Sequence, residues 1–263
     1  MRNYIKTVGA LAAASTLVAG SASAELEGEV HVGYANMYEF RFYDVGDDLV
    51  EAGFDLAYDT GAVTFSGGLW YGSWEAPTAI AFPAGGPGFV TRAPSSELDI
   101  YAGIGGELGP VSLELGYIYY MFPSYSSLNT QEVYLSAGIE MFWGIGLNST
   151  AFWDFDLYEG LYVDTSISKS FQFNECVSLD LALGFGYSDD HGLQVASAPS
   201  IGDVNGINGW YFSAQLPWEF RSGVTLTPYL KFTDGDSSMQ TGSSIADIGE
   251  DYVIAGLKLG ATF

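Results

Sequence analysis

Apolar and polar residues alternate along most of the chain. At the C-terminus the apolar face holds Val253, Ala255, Leu257, Leu259, Ala261 and Phe263, and the opposite face holds Tyr252, Gly256, Lys258, Gly260 and Thr262. A period of two predicts a β-strand with one apolar and one polar face. Twelve such segments can be counted, at residues 30–34, 52–58, 63–71, 98–104, 111–119, 133–141, 145–155, 161–167, 177–187, 210–218, 224–232 and 253–263. The pattern therefore predicts an all-β protein.

The connections between these segments alternate in length. Gly and Pro predict tight turns at 59–61, 108–110, 143–144 and 221–223. Longer linkers are expected at 38–48, 75–96, 122–130, 188–207 and 233–249, with a shorter one at 156–160. This alternation is typical of a transmembrane antiparallel up-and-down β-barrel with short turns in the periplasm and loops outside. We therefore expect twelve strands, with both termini at the periplasmic end.

The N-terminus predicts export. Arg2 and Lys6 precede an apolar stretch at 8–20, and Ala22, Ser23 and Ala24 match the small-residue cleavage pattern of a signal peptide. The apolar stretch is too short to span a bilayer as a helix. We expect residues 1–24 to be a signal peptide and residues 25–263 to form the barrel.

The aromatic residues cluster at predicted strand ends. One group, including Tyr71, Trp153 and Trp210, falls near the outer interface, and another, including Trp143, Trp218 and Phe263, falls near the inner one. Two aromatic belts are expected where a barrel meets lipid headgroups. A soluble β-sandwich would also alternate, but it would not need the belts or the signal peptide.

The terminal strand resembles the closing strand of bacterial outer-membrane barrels, because it ends in Phe263. In those proteins the final aromatic residue belongs to the assembly signal. The resemblance implies a location in the bacterial outer membrane. It also implies two partners, the outer-membrane lipid and the barrel assembly machinery.

Composition narrows the function classes. The formal net charge is −24, so binding to nucleic acid is not expected. Aromatic residues make up 16% of the chain and glycines number 34, which argues against disorder despite the acidity. The single cysteine, Cys176, can form neither an internal disulfide nor a metal site alone.

The polar faces of the predicted strands carry many acids and few bases. The residues predicted to line the lumen include Glu29, Glu51, Asp55, Asp99, Glu114, Glu132, Glu140, Asp180, Lys231 and Lys258. So many acids cannot all be paired, and buried unpaired charge is costly, so a hydrated interior is expected. A barrel of twelve strands is intermediate in size between barrels filled by side chains and barrels that enclose an open channel. We expect a porin-like channel for passive passage of small, preferentially cationic or neutral solutes. The alternative is a plugged structural or adhesive barrel.

A surface hydrolase is a third alternative. Asp190-His191 and Asp154-Phe155-Asp156 resemble the Asp–His pair and acidic dyad of omptin-type surface proteases. Omptins, however, have ten strands, and their pairs face each other across a cleft, whereas these pairs lie on neighbouring hairpins. We therefore predict no catalytic residue, no cofactor and no metal ligand. Two alternatives stay open for Asp234 and Asp236: they bind Ca²⁺ in an outer loop, or they are solvated loop acids.

The first strand carries a short motif. Between Gly33 and Arg41 the chain reads GYANMYEFR. It resembles a family of uncharacterised bacterial outer-membrane proteins whose first strand reads roughly S-x-Y-x-x-R-G. Tyr38 and Arg41 match, whereas Asn36 stands in place of Ser and Phe42 in place of Gly. The resemblance implies a porin-like outer-membrane barrel and supplies no substrate or catalytic residue.

Overall fold

A computed structural model of the chain describes residues 25–80, 89–191, 204–235 and 251–263. The segment predicted to be a signal peptide lies outside them, as does Asp236. Short 3₁₀ turns occur at Ser126–Leu128 and Phe142–Gly144. The strands are β1 Glu25–Phe40, β2 Tyr43–Asp59, β3 Thr64–Ile80, β4 Phe89–Leu108, β5 Val111–Met121, β6 Thr130–Glu140, β7 Ile145–Asp154, β8 Leu161–Asn174, β9 Val177–His191, β10 Val204–Gln215, β11 Trp218–Arg221, β12 Val224–Gly235 and β13 Asp251–Thr262.

These strands form one closed antiparallel barrel. Neighbours along the chain pair with one another, and β13 pairs with both β12 and β1. β10 and β11 are two parts of one barrel strand, because both pair with β9 and β12. Pro217 lies at the break and cannot donate a ladder hydrogen bond. The predicted twelve-stranded up-and-down barrel is confirmed. Across the part of the chain that the structure describes, no helix is long and apolar enough to cross a membrane.

Phe263 takes part in the closure. Its backbone N–H donates to the Gly28 carbonyl at 2.9 Å, and the Gly28 N–H donates back to the Phe263 carbonyl at 3.0 Å. Its ring lies against Gly28, where an added Cβ would approach the ring Cζ to 2.5 Å. The last residue therefore extends the β1–β13 ladder and covers a glycine of β1.

The outer surface is apolar, as the alternation predicted. Leu115 is 57% exposed and Leu135 53% exposed, although both are strand residues. Trp143 and Phe142 are exposed at the end with the tight turns, and Trp153 and Trp210 are exposed towards the other end. A closed barrel with this surface faces lipid. Below, the end with the tight turns and both chain ends is called periplasmic, and the opposite end outer.

Several luminal tyrosines lie flat against a glycine of the neighbouring strand. An added Cβ at Gly116 would meet the Tyr134 ring at 2.2 Å, and one at Gly184 would meet the Tyr211 ring at 2.5 Å. Any larger residue would displace the ring, because these are closer than van der Waals contacts. This close approach explains part of the high glycine content.

The connection between β1 and β2 differs from the prediction. A long linker was expected at 38–48, but β1 continues to Phe40 and β2 begins at Tyr43, with Phe40 opposite Tyr43. The turn consists of Arg41 and Phe42, with φ of 53° and 72°. Two-residue hairpins require positive φ, which usually calls for Gly or Asn. The prediction was wrong because neither turn residue is of that type. The linker predicted at 75–96 is also too long, since β3 extends to Ile80 and β4 begins at Phe89.

The β1–β2 hairpin leaves the barrel wall near the outer end. Pairing of β1 with β13 stops at Ala35, opposite Gly256, whereas pairing of β1 with β2 continues. The side chain of Asn36 replaces the lost ladder: Oδ1 accepts from the Ala255 N–H at 2.6 Å, and Nδ2 donates to the Val253 carbonyl at 3.2 Å. The register of the hairpin also shifts between Tyr38 and Glu39. Such irregularities bend strands, so the tip is free to turn inward.

The outer half of the lumen is packed rather than hydrated. A cluster of buried apolar and aromatic residues fills it, and the cluster comprises Ala35, Met37, Tyr38, Leu49, Trp70, Trp74, Tyr101, Ile118, Tyr120, Tyr134, Phe152, Tyr162, Tyr252 and Ile254. Four of these residues belong to the β1–β2 hairpin. The expectation of a hydrated interior is therefore wrong for the outer half, because the hairpin fills the space between the walls.

The two faces of β6 give a test of the assigned register. Leu135→Arg should destabilise the barrel by about 2–4 kcal/mol, because it places a charge in the hydrocarbon. The matched substitution Ser136→Arg points into the lumen and should cost less. Urea titrations of folding into lipid vesicles measure both free energies. Equal losses on the two faces would contradict the register.

Candidate functional site

The tip of the β1–β2 hairpin crosses the lumen and contacts the opposite wall. We define the hairpin tip as residues 38–43, of which Tyr38, Phe42 and Tyr43 are each at most 2% exposed. Its side chains reach residues of β3, β4, β6, β7, β8, β9, β10 and β12. The hairpin tip is therefore the feature that closes the outer half of the barrel.

Arg41 makes the central contact of the hairpin tip. Its Nη1 and Nη2 donate to Oε1 and Oε2 of Glu132, each at 2.7 Å. The Glu132 carboxylate also accepts from the Tyr120 hydroxyl at 2.9 Å. Arg41 Nη1 lies 2.7 Å from His191 Nε2. Since a guanidinium has only donors, this nitrogen accepts from Arg41 when the imidazole proton is on Nδ1. The same Nε2 also lies 3.4 Å from Glu132 Oε1.

Aromatic rings surround the guanidinium of Arg41. Its Cζ lies 4.6 Å from the Phe40 ring centroid, 4.9 Å from that of Phe152 and 4.5 Å from that of Tyr162. These are cation–π distances, and such contacts are stronger when the cation is desolvated. Arg41 is thus held through its edge by hydrogen bonds and through its faces by rings.

Tyr38 occupies a second position on the wall. Its hydroxyl donates to Glu97 Oε2 at 2.8 Å. Its ring packs edge-on to Trp74, with centroids 4.6 Å apart, and lies 5.8 Å from Trp70. Asp99, two residues after Glu97, is also buried. The tip therefore covers two luminal acids of β4.

Glu39 and Phe42 fix the far side of the hairpin tip. Glu39 Oε2 accepts from Lys231 Nζ, and Glu39 Oε1 accepts from the Phe42 N–H at 2.6 Å. The Phe42 ring fits against two glycines: an added Cβ would approach it to 2.6 Å at Gly186 and 2.7 Å at Gly209. A slot for one aromatic ring is thus built into β9 and β10.

The turn is strained while these contacts hold it. Non-glycine residues at positive φ cost of the order of 1–3 kcal/mol each, and Arg41 and Phe42 are consecutive. Such strain persists only where surrounding contacts outweigh it. The ion pairs and ring contacts of the hairpin tip are those contacts.

One cluster near Arg41 has the spacing of a metal site. Glu132, Asp154 and His191 offer ligand atoms that all lie within 4.8 Å of one another. Asp154, however, accepts from the Thr130 hydroxyl at 2.5 Å and from the backbone N–H groups of Asp156 and Tyr158. Because the guanidinium also contacts Glu132 and His191, we assign the cluster to Arg41.

The predicted pore-lining residues fall into two groups. Glu132 and Lys231 bind the hairpin tip, and Asp99 is buried beside Glu97. Glu51 lies in register with Glu97 across the β2–β3–β4 ladder. The others lie on the luminal parity of their strands towards the periplasmic end, and they are Glu29, Asp55, Glu114, Glu140, Asp180 and Lys258. That these residues line a conducting pore stays a prediction.

Several luminal acids accept hydrogen bonds from aromatic residues. The Tyr134 hydroxyl donates to Glu114 at 2.6 Å, and Trp70 Nε1 donates to Glu51 at 2.9 Å. The Tyr101 hydroxyl donates to Asp55. These carboxylates are only partly buried. Partly accessible acids therefore remain on the luminal face, and their role as a pore lining stays a prediction.

Two of the four hydrolase residues come together, because Asp154 and His191 lie in the cluster near Arg41, whereas Asp190 and Asp156 bind other partners. The carboxylate of Asp190 accepts from Asn205 Nδ2 at 3.0 Å, whereas the ring of His191 faces Arg41 and Glu132. Asp154 is buried and Asp156 is exposed, where it accepts from Gln131. An imidazole whose Nε2 is occupied by a guanidinium has no free position to activate water.

Sequence reasoning did not assign Arg41 or Glu39 to a site, and it considered His191 only as part of a hydrolase pair. One signal was available: Arg41 is the sole Lys or Arg between Lys6 and Arg92. A single base in so acidic a segment has many potential partners. The choice of Glu132, which lies 91 positions further along the chain, could not be read from local spacing.

Comparison with known proteins concerns the fold. No protein-family model and no curated protein matches the chain. An outer membrane channel from Pseudomonas putida F1 is 15% identical with a TM-score of 0.49, over 93% of this chain and 97% of that one. A membrane protein from work on in-meso crystallization is 9% identical with a TM-score of 0.50, over 90% and 84%. The NanC porin is 8% identical with a TM-score of 0.49, over 90% and 98%.

At these identities the likeness extends to architecture and not to function. The closed antiparallel ladder and the apolar outer surface identify the fold, and the structure with a TM-score of 0.50 agrees with it. The chain has the fold of an outer-membrane β-barrel. Inside this barrel the hairpin tip crosses the lumen.

Removing the Arg41 guanidinium should loosen the hairpin tip. Breaking a buried ion pair from one side costs about 3–5 kcal/mol. Since each 1.4 kcal/mol is a factor of ten, Arg41→Gln should speed amide exchange in residues 38–43 by at least tenfold. Hydrogen-exchange mass spectrometry in detergent micelles measures this. Arg221→Gln, at an exposed periplasmic turn, is the matched control, and unchanged exchange at the tip would refute the assignment.

Proposed function

We propose that the protein is an outer-membrane channel for small solutes, and that the hairpin tip closes its outer mouth in this structure. The observation that carries the proposal is the way the tip is attached. Two of its contacts with the opposite wall are ion pairs, Arg41 with Glu132 and Glu39 with Lys231. Ionic contacts can be exchanged for water or for a solute when the tip moves.

The strain of the turn supports a movable tip. Arg41 and Phe42 adopt positive φ in the two-residue turn between Phe40 and Tyr43. Release of the tip together with unpairing of Phe40 from Tyr43 would relieve this strain and would expose polar groups to water on both surfaces. The two arrangements can therefore differ by a small free energy, as a gate requires.

Preference for cationic or neutral solutes is the finer part of the proposal. Glu51, Asp55 and Glu114 are partly accessible on the luminal face, where Lys258 is a base nearer the periplasmic end. A low-dielectric wall focuses the potential of such acids and concentrates cations. At the gate itself two ion pairs bring opposite charges together, Arg41 with Glu132 and Glu39 with Lys231, and Glu97 and Asp99 lie buried under the tip.

Export and assembly complete the proposal. Residues 1–24 are the signal peptide removed on export, and Phe263 is the aromatic residue that the barrel assembly machinery recognises. The pairing of Phe263 with Gly28 supports a terminal residue that is bound only once the barrel closes.

A plugged structural barrel is the second candidate. The buried cluster that includes Met37, Leu49 and Ile254 favours it, because apolar packing gains nothing from opening. The two candidates differ in whether the barrel conducts when the ionic contacts of the tip are removed.

Conductance separates them. In planar bilayers the refolded wild type should open rarely, and Arg41→Gln should raise the open probability by about tenfold or more, because each 1.4 kcal/mol of lost tip binding is a factor of ten. Arg221→Gln should behave as the wild type does. If neither the wild type nor Arg41→Gln conducts, the structural barrel is favoured.

Selectivity is tested in the open variant. In a KCl gradient, Arg41→Gln should show a cation-selective reversal potential, and adding Glu51→Gln with Glu114→Gln should move that potential towards zero. The matched pair Glu159→Gln with Glu175→Gln removes the same charge from exposed turns and should leave it unchanged. The preference should weaken at 1 M salt, where the screening length falls to ~3 Å. Anion preference would overturn the acid-lined pore.

A further inference from the structure

We infer that Arg41 occupies a binding site for the guanidinium group of a solute, so that the hairpin tip closes the channel by mimicking its ligand. The inference rests on the proposed channel function for its meaning, since it names the chemical class of the solute. The binding site itself is defined by the structure of the wall. The solute class is a small cation that carries a guanidinium group.

The wall meets each requirement of a guanidinium. Glu132 presents both oxygens to two nitrogens at 2.7 Å, which is the fork geometry specific to arginine-like groups. The rings of Phe152 and Tyr162 lie within 5 Å of the guanidinium carbon, where a planar cation is stabilised. His191 supplies one further acceptor, at 2.7 Å.

The site belongs to the barrel and not to the hairpin. Glu132, Phe152, Tyr162 and His191 come from β6, β7, β8 and β9, which are consecutive hydrogen-bonded strands. Phe152 is directly opposite Tyr162 in the ladder. The hairpin contributes only Arg41 and the neighbouring Phe40 ring. If the tip withdraws, four of the five side chains stay in place, so a solute would meet a preorganised site.

The same lumen distinguishes a guanidinium from an ammonium. The Lys231 ammonium is held elsewhere, by one oxygen of Glu39 and above the Tyr211 ring. An ammonium is a point charge and cannot use both oxygens of Glu132 and two ring faces at once. We therefore expect the site to prefer alkylguanidinium to alkylammonium of equal charge and chain length.

Arg41 competes with the solute for this site. A ligand that binds only the open arrangement has an apparent affinity reduced by the fraction of open molecules. Removing Arg41 should therefore strengthen binding of an external guanidinium, although it removes a native contact. A purely structural ion pair would not give this result.

The test is calorimetric titration of the folded full-length barrel in detergent with propylguanidinium chloride and propylammonium chloride. Arg41→Ala should bind propylguanidinium at least tenfold more tightly than it binds propylammonium, and at least tenfold more tightly than the wild type does. Adding Glu132→Gln to Arg41→Ala should abolish this binding. Equal binding of the two salts, or no binding to folded Arg41→Ala, would overturn the inference.

Folding and channel function are controlled separately. Heat-modifiable migration in detergent gels shows whether a variant is a closed barrel, and if Arg41→Ala does not fold, Arg41→Gln is titrated with the same thresholds. Arg41→Lys keeps a cation on the tip and removes the fork. The titration needs no ion flow. If the barrel binds propylguanidinium but does not conduct, the binding site is supported and the channel function is rejected. If it conducts but does not bind, the channel function is supported and the binding site is rejected.

Discussion

The position of the hairpin tip in the lumen depends on one ion pair, the bidentate contact of Arg41 with Glu132. Both groups are buried, and a buried charge is tolerated only where its partner and its remaining hydrogen bonds are supplied. Tyr120 and His191 supply those bonds, and the rings supply the faces. Position and charge are therefore linked: the hairpin tip cannot lie elsewhere in the lumen without leaving Glu132 uncompensated.

Two local features destabilise the β1–β2 hairpin but allow the tip to reach Glu132. β1 gives up its pairing with β13 beyond Ala35, and Asn36 restores two of the lost hydrogen bonds with its side chain. The turn then places two large residues at positive φ. Each of these features destabilises the hairpin when it is considered alone. The contacts across the lumen must therefore stabilise the hairpin by more than the sum of these costs. Such local conflicts are expected at functional sites and are uncommon in a scaffold.

The sequence predicts features that are set by residues close together in the chain, and it misses contacts between residues far apart in the chain. The faces of β6 and β13 follow from a period of two, and closure follows from the even number of strands. The turn at Arg41 and Phe42 carries no turn signature, because tertiary contacts and not residue type impose its geometry. Its partners lie on strands that follow much later in the chain. Even so, Tyr38 and Arg41, which match the first-strand motif, are the two tip residues that bind luminal acids.

The distribution of charge explains how an acidic lumen can hold a packed outer half. The hairpin tip carries one charge of each sign, Arg41 and Glu39, and the wall opposite presents Glu132 and Lys231. Insertion of the tip therefore adds no net charge to the most buried part of the barrel, where an unbalanced charge would be most costly. Glu97, Asp99 and Asp154 are further acids buried in the outer half, and Asp55 and Glu114 remain partly accessible nearer the periplasmic end. The ion pairs that hold the hairpin tip are thus separated in space from the partly accessible acids.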